Sequence, residues 1–211
     1  MRVLLVTAVP AELDAALGDV APGPITGLAG GVGPVAAAVS TAMALASGEY
    51  DLVVSAGLAG GFAGRAPIGS VVVADTVRWA DLGADTEEGF LDLTGLGLAG
   101  GDVLSATGGR WVTDALGAAG VPALTGEVLT LATMTGTDRR GAELATVHPT
   151  AVAEAMEGYG VAWAARAAGV RWAELRAVSN LIGRRDRSAW DIPAAFDALR
   201  RAISALAAAS D

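Results

Sequence analysis

Apolar residues fall into two kinds of run along this chain. "RVLLVTAV" near the start, "YDLVVSAG" from residue 50 and "GSVVVADTVRWADL" from residue 69 are nearly continuous β-branched and Leu stretches. Such runs suit strands buried on both faces. "ITGLAGGVG" and "GEVLTLATMTGT" read as strands entering turns, and "RWAELRAVS" as the last strand. Helical patterns lie between them: "AELDAAL" after Pro10, "PVAAAVSTAMALAS", "GRWVTDALGAAG" and the C-terminal "AAFDALRRAISALAAAS", which is apolar at 196, 199, 203 and 206. Pro10 takes a first helical position with Glu12 in the first turn, and Gly48 stops the second helix. "TAVAEAMEGYGVAWAARAAGV" begins as a strand and continues as a helix to Gly169. Residues 83–107 are Gly-rich, weakly patterned and read as a long loop.

Strands alternating with helices predict an α/β layer fold with a mostly parallel central sheet. Ligands in such folds bind beyond the carboxyl ends of the strands. Those ends carry Ala8–Glu12, Gly57–Phe62, Met134–Thr137, Met156–Glu157 and Ser179–Asn180.

The 211 residues suffice for one well-buried domain spanning 1–211. With 53% hydrophobic and 18% charged residues, the chain is a core-forming one. A net charge of −9 with dispersed arginines argues against nucleic-acid binding. No cysteine is present, which excludes a disulfide scaffold, thiolate metal sites and a Cys nucleophile. A single histidine, His148, argues against a His-rich metal site and a Ser/His/Asp arrangement. No apolar run is long enough for a membrane span, and the apolar start is better read as a first strand than as a signal peptide. A cytoplasmic protein without metal or cofactor is expected.

Several segments carry candidate chemistry. "GLAGGVG" (27–33) follows a strand and precedes a helix, yet no acidic residue closes a second strand about twenty residues on. A plain tight turn is the simpler reading, and a dinucleotide-dependent oxidoreductase is the weaker one. "SAGLAGGF" (55–62) is a second glycine turn whose small residues let backbone N–H groups approach a ligand. Glu12 and Glu157 are carboxylates at two distant strand ends, suited to activating water or holding sugar hydroxyls. Glu12 also has a bland reading as a first-turn acid favoured by the helix dipole. Glu157 lies in an apolar stretch, where an unpaired charge is costly. His148 reads as a residue of a solvated loop, and Trp190 as either core packing or a ligand-stacking ring. Asp138–Arg140 and Arg184–Arg187 read mainly as solvated charge.

Taken in order, "VTAVPAEL", "VVSAGLAGGF", "AVAEAMEG" and "LRAVSN", followed by "AAFDALRRAISALAA", resemble the nucleoside phosphorylase and nucleosidase superfamily over nearly the whole chain. That resemblance implies a three-layer α/β/α sandwich with a mixed, partly closed sheet. It implies that Glu12 activates the attacking water, that Met156 and Glu157 hold the ribose, and that Ala59 and Gly60 line the sugar and base. It further places Ser179 and Asn180 against the purine, Trp190 over the ligand and Arg176 in support. It implies a nucleoside substrate and a homo-oligomer, a dimer or larger. The phosphorylases build their anion site largely from Arg; here Ala56 stands where their turn carries one, which favours hydrolysis. Asn180 is an amide where an acid would suit a 6-aminopurine. An amide donates to a 6-oxo group and accepts from a protonated N7, a pattern that resembles the futalosine hydrolase family. An Arg among Arg65, Arg184, Arg185 and Arg187 is then a candidate partner for the substrate carboxylate. Rival readings are a methylthioadenosine/adenosylhomocysteine nucleosidase and a non-catalytic nucleoside-binding protein.

Overall fold

The computed structural model describes residues 1–18, 20–98 and 101–210. Eight strands form one mixed sheet in the order β10-β4-β8-β9-β3-β1-β2, with β7 added against β4. These strands are β1 (Val3–Thr7), β2 (Ile25–Ala29), β3 (Leu52–Gly61), β4 (Val71–Trp79), β7 (Val103–Ser105), β8 (Ala123–Thr130), β9 (Ala151–Ala155) and β10 (Arg171–Leu181). A further pairing of β10 with β3 closes part of the sheet into a ring. β1, β2, β3 and β10 run parallel, whereas β4 meets β10 and β9 meets β3 in antiparallel fashion. β4, β8 and β9 are parallel to one another as well. The sheet is therefore mixed but mostly parallel, as expected, with antiparallel joins at β4–β10, β3–β9 and β4–β7.

Successive strand side chains point to opposite faces. Val3 and Leu5 of β1, Leu52 and Val54 of β3 and Leu175 and Ala177 of β10 pack on α1 (Pro10–Leu17), α3 (Gly109–Ala118) and α6 (Ile192–Ser210). Leu4, Val6, Val53, Trp172 and Val178 face α2 (Pro34–Ser47) and α5 (Gly158–Ala167) on the other side. This gives the three layers, helix on sheet on helix. A third apolar cluster, with Phe62, Leu129, Leu131 and Leu144, sits under α4 (Asp138–Val147). No described helix is long and apolar enough to cross a membrane.

Two parts of the chain differ from the sequence expectation. Residues 83–107 are not a plain loop. They hold a separate hairpin, β5 (Gly83–Thr86) with β6 (Gly89–Asp92), and then β7; residues 99 and 100 lie outside the described residues. α4 follows the expected turn after β8, in a stretch where the sequence predicts no element. Its start is capped by Thr137, whose hydroxyl accepts from the Arg140 backbone N–H at 3.2 Å. Its charged residues, read as solvated, form its outer face, and Gly141 and Leu144 alone are buried. So narrow an apolar stripe leaves little period to read.

The candidate site follows from how β3 changes neighbours. Its first half, Leu52–Ser55, pairs with β1, and its last residues, Gly60 and Gly61, pair with β9. Between them the strand has β10 on one side, and the other side opens. This is a topological switch point, the place where open sheets bind ligands.

Candidate active site

A cavity of about 250 Å³ opens at this switch point. All five strand ends named from the sequence reach it, through Ala8, Val9 and Glu12, Leu58–Gly60, Met134 and Thr135, Ala155–Glu157, and Ser179 with Asn180. Ala59, Gly60, Met156, Glu157, Ser179, Asn180 and Trp190 therefore line one space with Glu12. Among the described residues its walls contain three carboxylates, Glu12, Glu154 and Glu157, and no Arg or Lys.

Glu12 is buried on the first turn of α1. Its Oε2 accepts from the Ala8 backbone N–H at 3.0 Å and its Oε1 from that of Leu58 at 2.8 Å. The helix-dipole explanation is thus incomplete, because the carboxylate turns back into the cavity and binds the open side of β3. Gly57 makes room for it: a Cβ there would stand 2.6 Å from Glu12 Oε1 and 3.0 Å from Arg176 Nη1.

Glu157 accepts from the Gly33 N–H at 3.2 Å and the Met156 N–H at 3.3 Å, and its Oε2 lies 3.4 Å from Arg176 Nη1. The glycine turn at 27–33 therefore serves a carboxylate of the chain itself. The Gly33 N–H that a bound phosphate would use is already taken, which removes the dinucleotide reading's main donor.

Arg176 is 1% exposed and does not line the cavity. Its Nε donates to Glu174 Oε1 at 2.7 Å and its Nη2 to Ser55 Oγ at 3.0 Å. Burial opposes its charge, but Glu174, Glu157 and Glu12 outweigh burial and hold the guanidinium above its usual range. Glu174, fully buried, is pushed above the ordinary carboxylate range by burial, against the pull of Arg176. One cation thus ties together three acidic side chains, and the site is negative overall.

Asn180 Oδ1 accepts from Ser179 Oγ at 2.8 Å, and its Nδ2 donates to Leu181 O at 3.1 Å. One amide hydrogen and one carbonyl lone pair remain for a ligand. Trp190 closes one side of the cavity, with the guanidinium carbons of Arg185 and Arg187 5.7 and 6.0 Å from its ring centroid. Arg65 is a different case: it donates to the carbonyls of Ala145, His148 and Ala151 and so serves structure. His148 caps α4 half-buried, not in an open loop, and burial lowers its pKa.

Sequence reasoning missed Glu154 and Val32 as residues of the cavity wall. Glu154 had a usable signal. In "AVAEAMEG" it alternates with alanines and has the parity of Met156, so it belongs to the same strand face.

Comparison with known proteins agrees with this geometry. The family description "Phosphorylase superfamily" matches residues 6–210. The chain is 54% identical over 185 residues to a futalosine hydrolase of Streptomyces coelicolor, covering 85% of this chain and 77% of that protein. It is 48% identical over 221 residues to a futalosine hydrolase of Acidothermus cellulolyticus, covering 98% and 90%. A crystal structure of a 5′-methylthioadenosine/S-adenosylhomocysteine nucleosidase from Colwellia psychrerythraea, in complex with adenine, superposes with a TM-score of 0.81 over 97% of this chain and 94% of that one, at 20% identity. With these relatives and a central sheet of the same fold, the chain belongs to the phosphorylase superfamily and, within it, to the futalosine hydrolase family.

Proposed function

We propose that this protein is an N-glycosyl hydrolase that cleaves futalosine with water, giving dehypoxanthinyl futalosine and hypoxanthine, and so serves menaquinone biosynthesis in the cytoplasm. The observation that carries the reading is Asn180, an amide, at the purine end of a cavity that holds Glu12 and has the futalosine hydrolases as its relatives.

The electrostatics favour water over phosphate. A cavity walled by three carboxylates and, among the described residues, no Arg or Lys repels a phosphate anion. The same negative field stabilises the positive charge that gathers on the sugar as the base departs. Glu12, held by two N–H groups, takes a proton from water as the water oxygen bonds C1′ and the C1′–N9 bond breaks. The bonding electrons leave with the purine. N7 takes a proton from solvent water as the bond breaks, and Asn180 steadies that leaving group by donating to O6 and accepting from the N7–H; Glu12 returns its proton to solvent. Glu157 and Met156 hold the ribose, with Glu157 on its hydroxyls; Ala59 and Gly60 lie along the sugar and base, Ser179 orients Asn180, and Trp190 covers the ligand. Arg176 acts through Glu157 and Glu174, as a positioning residue.

We also infer that residues 1–211 act as a single domain and that copies associate. Val35, Val39 and Met43 stand one helical turn apart on α2 and are all exposed. An apolar stripe of that kind, beginning beside the cavity residue Val32, fits a homo-oligomer contact.

The test is a product assay without phosphate. Purified protein is incubated with futalosine and, separately, with methylthioadenosine. Hypoxanthine from the first is expected. Adenine from the second alone moves the protein to the methylthioadenosine nucleosidases, and a requirement for phosphate moves it to the phosphorylases.

A further inference from the structure

Three residues stand in a row across three adjacent strands at the floor of the cavity. Gly60 of β3 is in register with Glu154 of β9 on one side and with Asn180 of β10 on the other. Neighbouring strands are about 4.8 Å apart, so Glu154 and Asn180 are separated by two strand spacings with a glycine between them. All three line the cavity. A Cβ on Gly60 would meet Ile182 Cγ1 at 3.0 Å, Asn180 Nδ2 at 3.4 Å and Glu154 Cγ at 3.5 Å, so the two polar side chains flank the space that the missing side chain leaves and Ile182 closes it. The result is a slot with an amide at one end and a carboxylate at the other.

Glu154 is built in. It is buried, and its two oxygens are held by a single residue: Oε1 accepts from the Thr135 N–H at 2.8 Å and Oε2 from the Thr135 hydroxyl at 2.7 Å. Each carboxylate oxygen has a second lone pair, so the group can accept one more hydrogen bond from the cavity. Burial raises its pKa while Thr135 and Arg140 pull it down, and nothing in the proposed hydrolysis uses it. A buried carboxylate held in place by Thr135, with spare acceptor capacity toward a ligand slot, is placed to take a donor from the ligand.

The two purine classes differ in what they offer there. If Asn180 takes the O6/N7 edge, the next ring atom along the six-membered ring is N1. A 6-oxopurine carries a hydrogen on N1. A 6-aminopurine has a bare lone pair at N1, which would face a carboxylate oxygen. We propose that Glu154 is a specificity-determining residue of this site, accepting the N1–H of a 6-oxopurine and rejecting 6-aminopurines by lone-pair repulsion. This rests on the nucleosidase reading given above, and it adds a second determinant of base choice beside Asn180. Thr135 is its positioning residue.

The experiment measures inhibition of hypoxanthine release by free hypoxanthine, 1-methylhypoxanthine and adenine, for the wild-type protein and for Glu154→Gln. Charge-assisted hydrogen bonds are strong ones, so wild type should bind hypoxanthine about 10-fold or more tighter than either other base. In Glu154→Gln, which keeps the size of the side chain, that preference should shrink about 10-fold and adenine should gain. A merely steric penalty on the methyl group would persist in the variant, and its persistence overturns the proposal. Equal inhibition by all three bases in wild type overturns it too, without need of the variant; thermal melting checks that the variant is folded. Should wild type release no hypoxanthine from futalosine at all, the nucleosidase reading itself is what fails. If hypoxanthine is released and the preference survives in Glu154→Gln, the role of Glu154 alone is lost.

Discussion

Glu12 Oε1 accepts a 2.8 Å hydrogen bond from the backbone amide of Leu58, 46 residues away in sequence. The bond joins the first turn of α1 to the stretch of β3 that has left β1 and not yet met β9. The carboxylate proposed as the base is therefore fixed by the sheet itself.

Glu12→Gln should lower turnover by about 100-fold or more, the usual share of a general base, while the substrate still binds. A Gln side chain has one oxygen where two now accept, so either Ala8 or Leu58 loses its partner. The associated loss of about 1 kcal/mol should lower the melting temperature by roughly 2–4 °C. Turnover near the wild-type value, by hypoxanthine release, would remove Glu12 as the base.

Asn180→Asp should weaken hypoxanthine release and admit a 6-amino counterpart of the same nucleoside. A site that loses a matched donor discriminates by unpaired polar groups, so the ratio of the two kcat/KM values should move by about 10-fold or more. An unchanged ratio would mean that the base is read elsewhere.

Arg176→Met should destabilise strongly, by about 3–5 kcal/mol, because it leaves buried carboxylates without their cation. Urea unfolding at neutral and at acid pH separates this from lost packing. Protonated carboxyls need no cation, so the penalty should shrink in acid; a penalty independent of pH would assign it to packing alone.

Glu174 gives a signed pH effect. Burial raises its folded pKa above the ordinary 4.5, so between 4.5 and that raised value the folded protein keeps a proton that the unfolded chain has lost. Its contribution to stability is full below 4.5 and is lost as the pH rises through the folded pKa. Glu174→Gln should remove this slope, so that wild type loses stability relative to the variant as the pH rises. Parallel pH–stability curves would contradict the assignment.

Val39→Glu, in the middle of the exposed stripe on α2, should shift the protein toward monomer in sedimentation velocity. A monomeric wild-type protein would rule out the contact.

The sequence made the strand ends legible because buried strands are continuous apolar runs and the small or polar residues after them stand out. Glu12, Glu157 and Asn180 were found that way. Glu154 was harder to see, since its partner Gly60 is known only from the β3–β9 register, and register is a long-range property. The ring closure by β10 and β3 was equally hidden from local pattern and was expected from family resemblance alone. α4 was missed because two buried residues leave almost no helical period, and the hairpin of β5 and β6 because its strands are 4 residues each and mostly exposed.

The open stretch of β3 has one more use. A backbone N–H that donates to another strand's carbonyl reports on the sheet; one that donates to a carboxylate reports on that carboxylate's charge. The Leu58 amide is of the second kind. Its nitrogen and proton chemical shifts should move in Glu12→Gln and again when a ligand enters the cavity, making this single backbone signal a spectroscopic readout of the carboxylate it holds.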